Sequence, residues 1–152
     1  MKAMADEQNN KSFTVHKAFN NLSIKDLPML TGFVEGMLTD ILLSDMYFND
    51  LLLASEEILS NILMYSHNGA LNALKIQIKC CKETSILSLT FIDDGIEFNP
   101  LQYPPPNIEL SIEERKIGGL GIHLVKHLTD HIMYSRLDGK NMLTIQKFIK
   151  PF

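Results

Sequence analysis

An apolar run ends at Phe91-Ile92 and is followed by two acids and a glycine, Asp93-Asp94-Gly95. A carboxylate at the end of a strand can accept a hydrogen bond from the amine of a ligand. A glycine beside it would let a flat ring approach the backbone, because it has no Cβ. An acidic turn after a strand is the alternative interpretation of these residues alone.

A glycine cluster formed by Gly118, Gly119, Leu120 and Gly121 precedes a segment with helical periodicity. Glycines at the start of a helix expose several backbone N–H groups, and the helix dipole favours anions at that end. The cluster therefore has the chemistry of a phosphate-binding site. A flexible turn would explain an isolated glycine cluster equally well.

A carboxylate and an amide, Glu57 and Asn61, are four residues apart in a stretch that is otherwise largely apolar. The stretch has helical periodicity, so both side chains project from the same face of a helix. Taken alone, they are also compatible with a half-exposed polar pair, because charged residues usually lie on a solvated face.

Together, and in this order along the chain, the three clusters resemble the ATP-binding motifs of the GHKL superfamily. Within it they are most similar to the anti-sigma-factor serine kinases of bacteria. Glu57 and Asn61 match the N box, Asp93-Asp94-Gly95 matches the D-x-G box, and the glycine cluster matches the second glycine box. The resemblance extends over residues 12–149, nearly the whole chain.

The resemblance implies a role for each matching residue. Glu57 would activate the nucleophile, Asn61 would bind Mg²⁺, and Asp93 would recognise the adenine amino group of ATP. Residues 99–117 would form a lid over the nucleotide. The remaining residues implied in cofactor binding are Gly95, Gly118, Gly119, Leu120 and Gly121.

The elements that must position these residues can be predicted from periodicity and turn signals. The order is β-α-α-β-β-loop-α-β-β, which favours an α+β two-layer sandwich with a mixed, mostly antiparallel sheet and helices on one face. We expect a flexible N-terminus over residues 1–11 and one domain over residues 12–150. The predicted strands are 12–19, 73–81, 86–93, 132–136 and 141–149; the predicted helices begin near Ser23 and span 46–65 and 122–130.

Composition excludes several classes of protein. The 152 residues carry a net charge of −4 with no basic stripe, so no direct nucleic-acid binding is expected. Adjacent Cys80 and Cys81 would point to opposite faces of a strand, which argues against a disulfide framework and for a reducing compartment. With no signal peptide and no membrane-spanning run, the sequence predicts a cytoplasmic protein without membrane contact.

Three hypotheses for function remain. The first is an ATP-dependent serine/threonine kinase that inhibits a sigma factor or related regulator and phosphorylates an antagonist protein on Ser or Thr. The second is a switch module that binds nucleotide and partner without phosphoryl transfer. Ile117 favours it, because some kinases of the group have arginine there. The third is the catalytic domain of a split histidine kinase. The absence of a dimerising helical hairpin with a phosphoacceptor histidine from the sequence counts against it.

The resemblance also predicts a homodimer, formed through residues 12–19 or the sheet edge.

Three histidines, His123, His127 and His131, are spaced four apart, which would place them on one face of the last helix. No cysteine lies nearby in the sequence and no H-E-x-x-H pattern is present, so we interpret them as solvent-facing polar residues near a helix end rather than as metal ligands.

Overall fold

The computed structural model describes residues 13–41, 44–66, 74–102, 109 and 119–149. Most of the predicted lid and the predicted flexible N-terminus lie outside these ranges. Two short 3₁₀ turns, Ile24–Asp26 and Pro100–Gln102, accompany the main elements. Those elements are β1 Phe13–Leu22, α1 Leu27–Asp40, α2 Asp45–Tyr65, β2 Leu74–Glu83, β3 Ile86–Asp93, α3 Gly119–Leu128, β4 His131–Leu137 and β5 Lys140–Phe148.

The strands form one sheet in the order β1-β2-β3-β5-β4. All four pairings among the described strands are antiparallel. The predicted α+β fold is therefore confirmed. Strand β5 lies between β3 and β4, and this arrangement pairs the last residue of β3, Asp93, with Asn141 at the start of β5. The two edges of the sheet are β1 and β4.

The core lies between the helices and one face of the sheet. Along β2, residues alternate between buried and exposed, so one face of this strand is apolar and the other is polar. Helix α2 contacts α1 on one side and α3 on the other, and the three helices cover the apolar face. The fully buried side chains of this core include Leu30, Leu38, Leu51, Ile58, Leu59, Leu63, Ile76, Ile78, Leu87, Leu89, Phe91 and Ile145.

A 3₁₀ turn lies at the predicted helix start near Ser23, α1 follows from Leu27, and the strand before them is longer than predicted. Strand β1 continues to Leu22, three residues beyond the predicted end at Phe19. Ser23 then starts the 3₁₀ turn, and Asp26 Oδ2 accepts the backbone N–H of Ser23 at 2.8 Å, as in a capping box. Pro28 lies in the first turn of α1, where its missing N–H costs no hydrogen bond.

Helix α2 carries the predicted polar pair and agrees with the prediction within one residue at its start. Ser44 precedes it in an extended conformation and Asp45 lies in its first turn, where a carboxylate complements the helix dipole. Its buried stripe is formed by Leu51, Ala54, Ser55, Ile58, Leu59, Ile62 and Leu63. None of the helices within the described ranges is long and apolar enough to cross a membrane.

The last two strands form a hairpin at the predicted turn, Asp138-Gly139. Both residues have positive φ, 51° and 73°, which is the backbone conformation of a type I′ turn. Only a few residue types adopt this conformation easily, with glycine the easiest. The turn sets the register between β4 and β5, so that Arg136 pairs with Asn141.

Candidate functional site

Helix α2 directs Glu57 and Asn61 toward the first turn of α3. Both side chains are half-buried, whereas Ile58 and Leu59 between them are buried in the core. A Cβ placed on Gly121 would lie 2.5 Å from Glu57 Oε2 and 3.9 Å from Asn61 Nδ2. The structure therefore brings together the predicted N-box pair and the end of the glycine cluster.

Three residues of the glycine cluster lie inside α3 rather than before it. The helix begins at Gly119, three residues earlier than predicted, so Gly119, Leu120 and Gly121 form its first turn. The N–H groups of the first turn of a helix have no partner within the helix and remain available to an anion. Gly118 lies outside the described residues.

At the end of β3 the two acids point in different directions. Asp93 is 3% exposed, and its Oδ1 accepts the backbone N–H of Gly95 and the Nδ2 group of Asn141, each at 3.0 Å. Asp94 instead accepts the backbone N–H of Lys75 at 2.8 Å, at the start of β2. Asp93, the acid chosen from the sequence, is therefore the one that faces the interior.

Burial changes the acid–base chemistry of Asp93. Desolvation raises the pKa of its carboxyl above the ordinary value, because the charged form is disfavoured away from water. The hydrogen bonds from Asn141 and from the Gly95 N–H act in the opposite direction. A buried carboxylate with a perturbed pKa that lines a cavity is typical of a ligand-binding site.

Gly95 allows the loop after β3 to lie against the end of α2. The backbone N–H of Ile96 donates to the carbonyl oxygen of Ser66 at 2.7 Å. A Cβ on Gly95 would overlap the backbone of Ser66. The sequence-based reason for a glycine here was the approach of a flat ring, and the structure adds a second reason within the protein itself.

A cavity of about 20 Å³ lies beside Asp93. Ser66 is 1% exposed, and its Oγ has no hydrogen-bond partner among the described residues. This space holds about one water molecule, so the cavity must widen to admit a purine ring. The lining side chains are Ile58, Asn61, Ile62, Ser66, Asp93, Phe98, Pro100, Tyr134, Asn141 and Leu143.

A second, open depression of about 580 Å³ lies on the other side of the polar pair. It is lined by Glu57, Gly121, His123, Leu124 and His127. Asn61 thus lines the cavity near Asp93, and Glu57 lines the depression beside α3. The candidate site runs along one face of α2. It extends from the buried acceptor Asp93 to the carboxylate of Glu57, which lies beside the first turn of α3.

The amino-acid sequence places this arrangement in a known family. Residues 22–147 match the model of the histidine kinase-like ATPase domain. The chain belongs to the histidine kinase-like ATPase family. Membership of this family implies ATP binding.

Two relatives are informative about this family member. The serine/threonine-protein kinase BtrW of Bordetella bronchiseptica is 28% identical over 102 residues, which cover 66% of this chain and 70% of that protein. The fold is similar to the RsbU and RsbW domains of Rv1364c from Mycobacterium tuberculosis, with a TM-score of 0.64 at 12% identity over 91% of this chain. This chain covers 33% of that protein, and the likeness concerns the fold alone.

The histidines do not share one helix face in this family member. Helix α3 ends at Leu128, and His131 begins β4, where its ring contacts Phe148 at 5.4 Å between centroids. His123 and His127 do contact each other on α3. Among the described residues, no group of three or more His, Cys, Asp or Glu side chains is placed to hold a metal ion.

Asn141 was not predicted as a site residue, although it contacts Asp93 directly. It is 3% exposed and its Nδ2 donates to Asp93 Oδ1. Its local sequence signal is an amide two positions after the Asp138-Gly139 turn. That signal does not show that β5 pairs with β3, so the contact could not be inferred without the fold.

Replacing Gly121 by alanine is expected to displace Glu57 while the fold remains intact. The new methyl group would meet the flexible end of Glu57, and alanine is favoured over glycine within a helix. We expect any phosphoryl transfer to fall by about tenfold to a hundredfold, because small displacements of a reacting group are costly. Radiolabelled phosphate transfer and thermal unfolding measure the two effects.

Gly36→Ala in α1 is the matched control, because a Cβ there would meet no atom within 4 Å. Equal loss of activity in both variants, or full activity of Gly121→Ala, would contradict the predicted contact between α3 and Glu57.

Proposed function

We propose that this chain is an ATP-dependent serine/threonine protein kinase of the anti-sigma type, acting in the cytoplasm. It would inhibit a sigma factor or related regulator and phosphorylate an antagonist partner on Ser or Thr. The observation that carries the proposal is the position of Glu57, a carboxylate beside the glycine-containing first turn of α3. The name of the relative BtrW as a serine/threonine-protein kinase supports the same reaction.

The residues present fit a nucleotide along the face of α2. Asp93 would accept a hydrogen bond from the adenine amino group, and the unpartnered Ser66 Oγ offers a further polar contact in the same cavity. The first-turn N–H groups of α3, at Gly119, Leu120 and Gly121, together with Gly118, would bind the triphosphate. The Asn61 amide oxygen would hold Mg²⁺, which neutralises charge on the phosphate oxygens when bound.

Glu57 would act as the general base. Its carboxylate takes the proton of the partner's Ser or Thr hydroxyl while the hydroxyl oxygen bonds to the γ-phosphorus. The bond from the γ-phosphorus to the β-phosphate oxygen breaks, and ADP leaves. Glu57 suits this role because it lines an open depression, which a partner's side chain can enter.

The test starts with the partner. A pull-down from the native cell with ATP or ADP present, analysed by mass spectrometry, identifies proteins that bind in a nucleotide-dependent way. The purified partner is then incubated with the protein, Mg²⁺ and radiolabelled ATP. Phosphate on a Ser or Thr of the partner supports the kinase. A partner that binds but receives no phosphate supports the alternative function, a nucleotide-dependent switch module.

A homodimer is proposed through the edge strand β1. Val15 on this strand is 41% exposed, and an exposed strand edge is a natural site for pairing with a second chain. We expect a dimer mass by light scattering at tens of micromolar protein. Val15→Lys should shift the mass toward the monomer, because a charge on an edge strand opposes pairing.

The matched control is Met133→Lys on the opposite edge strand, where Met133 is 49% exposed. This variant should remain dimeric. A monomer mass for the wild-type protein under these conditions would refute the proposed dimer, and dissociation of both variants would refute the choice of edge.

A further inference from the structure

Three polar side chains of the β4–β5 hairpin converge on the loop that follows Asp93. They are Tyr134, Arg136 and Asn141, and we refer to them together as the hairpin clamp. Arg136 Nη1 donates to the carbonyl oxygen of Gly95 at 2.9 Å and to Asn141 Oδ1 at 3.0 Å. The clamp thus joins a hairpin at one edge of the sheet to the loop that contains the D-x-G box.

Asn141 is the centre of the clamp, and its amide group is fully used. Its Nδ2 donates to Asp93 Oδ1 at 3.0 Å and to the carbonyl oxygen of Ile96 at 2.7 Å. Its Oδ1 accepts the Tyr134 hydroxyl at 2.6 Å and the backbone N–H of Phe98 at 3.2 Å, in addition to Arg136.

These contacts determine which way the amide points. A guanidinium and a backbone N–H can only donate hydrogen bonds, so the group facing Arg136 and Phe98 must be the amide oxygen. The carbonyl of Ile96 can only accept, so the group facing it must be the amide nitrogen. The amide therefore cannot rotate without losing several hydrogen bonds in a buried site, and it always presents an N–H to Asp93.

The chemical consequence falls on Asp93. Two N–H donors, from Asn141 and Gly95, occupy Oδ1, so Oδ2 is the oxygen left for a ligand, and it accepts a hydrogen bond only when the carboxyl is ionised. Both donors stabilise that ionised form. The Arg136 cation beside Gly95 favours the ionised carboxylate, which opposes the effect of burial. Two other charged groups lie nearby. Burial and the charge of Glu97 raise the pKa of Tyr134, and Asp94 accepts a hydrogen bond from the backbone N–H of Lys75.

We propose that the hairpin clamp is a positioning device that keeps Asp93 an ionised hydrogen-bond acceptor. The site would thereby select a purine nucleotide with an amino group at position 6 over one with a carbonyl group there. An amino group donates to a carboxylate, whereas a carbonyl oxygen would face a second acceptor. This inference rests on the proposed nucleotide site and assigns residues that act through Asp93 rather than on the nucleotide.

The test variant is Asn141→Asp in the full chain. The introduced carboxyl has nearly the same shape, but it places an oxygen against Asp93 Oδ1, and the two acids must then share a proton. The affinity for ADP is expected to fall by about tenfold or more, while that for IDP, its 6-carbonyl analogue, changes by less than about threefold. Isothermal titration calorimetry with both nucleotides measures the ratio.

The loss of ADP affinity in Asn141→Asp should also depend on pH. The shared proton leaves as the pH rises, so ADP affinity should recover toward the wild-type value at higher pH. A purely structural defect would lower both affinities together and would not recover in this way. The matched control is Gln146→Glu on the same strand, where the amide donates to Ser88 Oγ on the opposite face of the sheet.

A milder variant keeps the proposal testable if Asn141→Asp does not fold. Arg136→Gln retains a hydrogen-bond donor but removes the cation, and it should also lower ADP affinity more than IDP affinity. An unchanged ADP-to-IDP ratio in the folded variants, or an equal change in Gln146→Glu, would overturn the clamp. Absence of ADP binding by the wild-type protein would refute the nucleotide site itself, which is a separate outcome.

Discussion

Glu57→Gln is expected to reduce phosphoryl transfer to the partner by about 10²–10⁴-fold, the usual contribution of a general base. Glutamine keeps the shape of the side chain but cannot take up the proton of the attacking hydroxyl. Nucleotide affinity should change little, because Glu57 lines the open depression beside α3 and not the cavity that contains Asp93.

The measurement is radiolabelled phosphate transfer to the identified partner, with nucleotide binding determined for each variant. Glu56→Gln is the matched control, since the neighbouring carboxylate is exposed and points away from this face of the helix. Equal transfer rates for wild type and Glu57→Gln would remove Glu57 from the catalytic role and leave the remainder of the site in place.

A comparison of Asn61→Ala with Glu57→Gln distinguishes the proposed metal-binding role of Asn61 from the proposed role of Glu57 as the general base. The variant removes an amide next to Glu57, so Mg²⁺-dependent ATP binding should weaken together with transfer. Glu57→Gln should affect transfer alone. If Asn61→Ala binds ATP as tightly as the wild type in the presence of Mg²⁺, the assignment of Asn61 to the metal is wrong.

Asp93→Asn is expected to weaken ATP binding by about 1–3 kcal/mol, which is roughly five- to 150-fold. The amide is a weaker acceptor for the adenine amino group and lacks the charge. Asp94→Asn is the matched control, because Asp94 is bonded to the N–H of Lys75 rather than directed to the cavity. Calorimetry that shows equal ATP affinity for wild type and Asp93→Asn would refute the adenine-binding assignment.

The same substitution should leave the nucleotide-free protein at least as stable as the wild type at neutral pH. Burial raises the pKa of Asp93 above its ordinary value of 3.8, so the folded state binds the proton more tightly than the unfolded chain. The free energy of unfolding therefore falls as the pH rises from the ordinary pKa through the pKa of Asp93 in the folded state. At higher pH the free energy of unfolding stays at this lower value. Asp93→Asn has no charge to bury and does not lose this stability. Its thermal unfolding temperature should therefore exceed that of the wild type at neutral pH, and the difference should shrink as the pH falls toward 4.

Much of the fold could be predicted from the sequence because its local signals agree. The apolar periodicity of α2, the alternation along β2 and the Asp138-Gly139 turn each specify an element without reference to distant residues. The start of α3 was misplaced by three residues, since glycines are poor helix formers and indicate a loop. The glycine at position 121 has a tertiary reason instead, because α3 packs beside α2 and a Cβ there would meet Glu57.

The order of the three motifs and the elements that carry them follow from local sequence patterns, which also indicate Asp93, Glu57 and Asn61 as site residues. The way in which Asp93 is held depends instead on the fold. Its partner Asn141 is 48 residues away and becomes a neighbour because β5 lies between β3 and β4. Strand order depends on how all the strands and helices share one core, a property that no local pattern encodes. The hydrogen bonds that keep this carboxylate an acceptor follow from that packing.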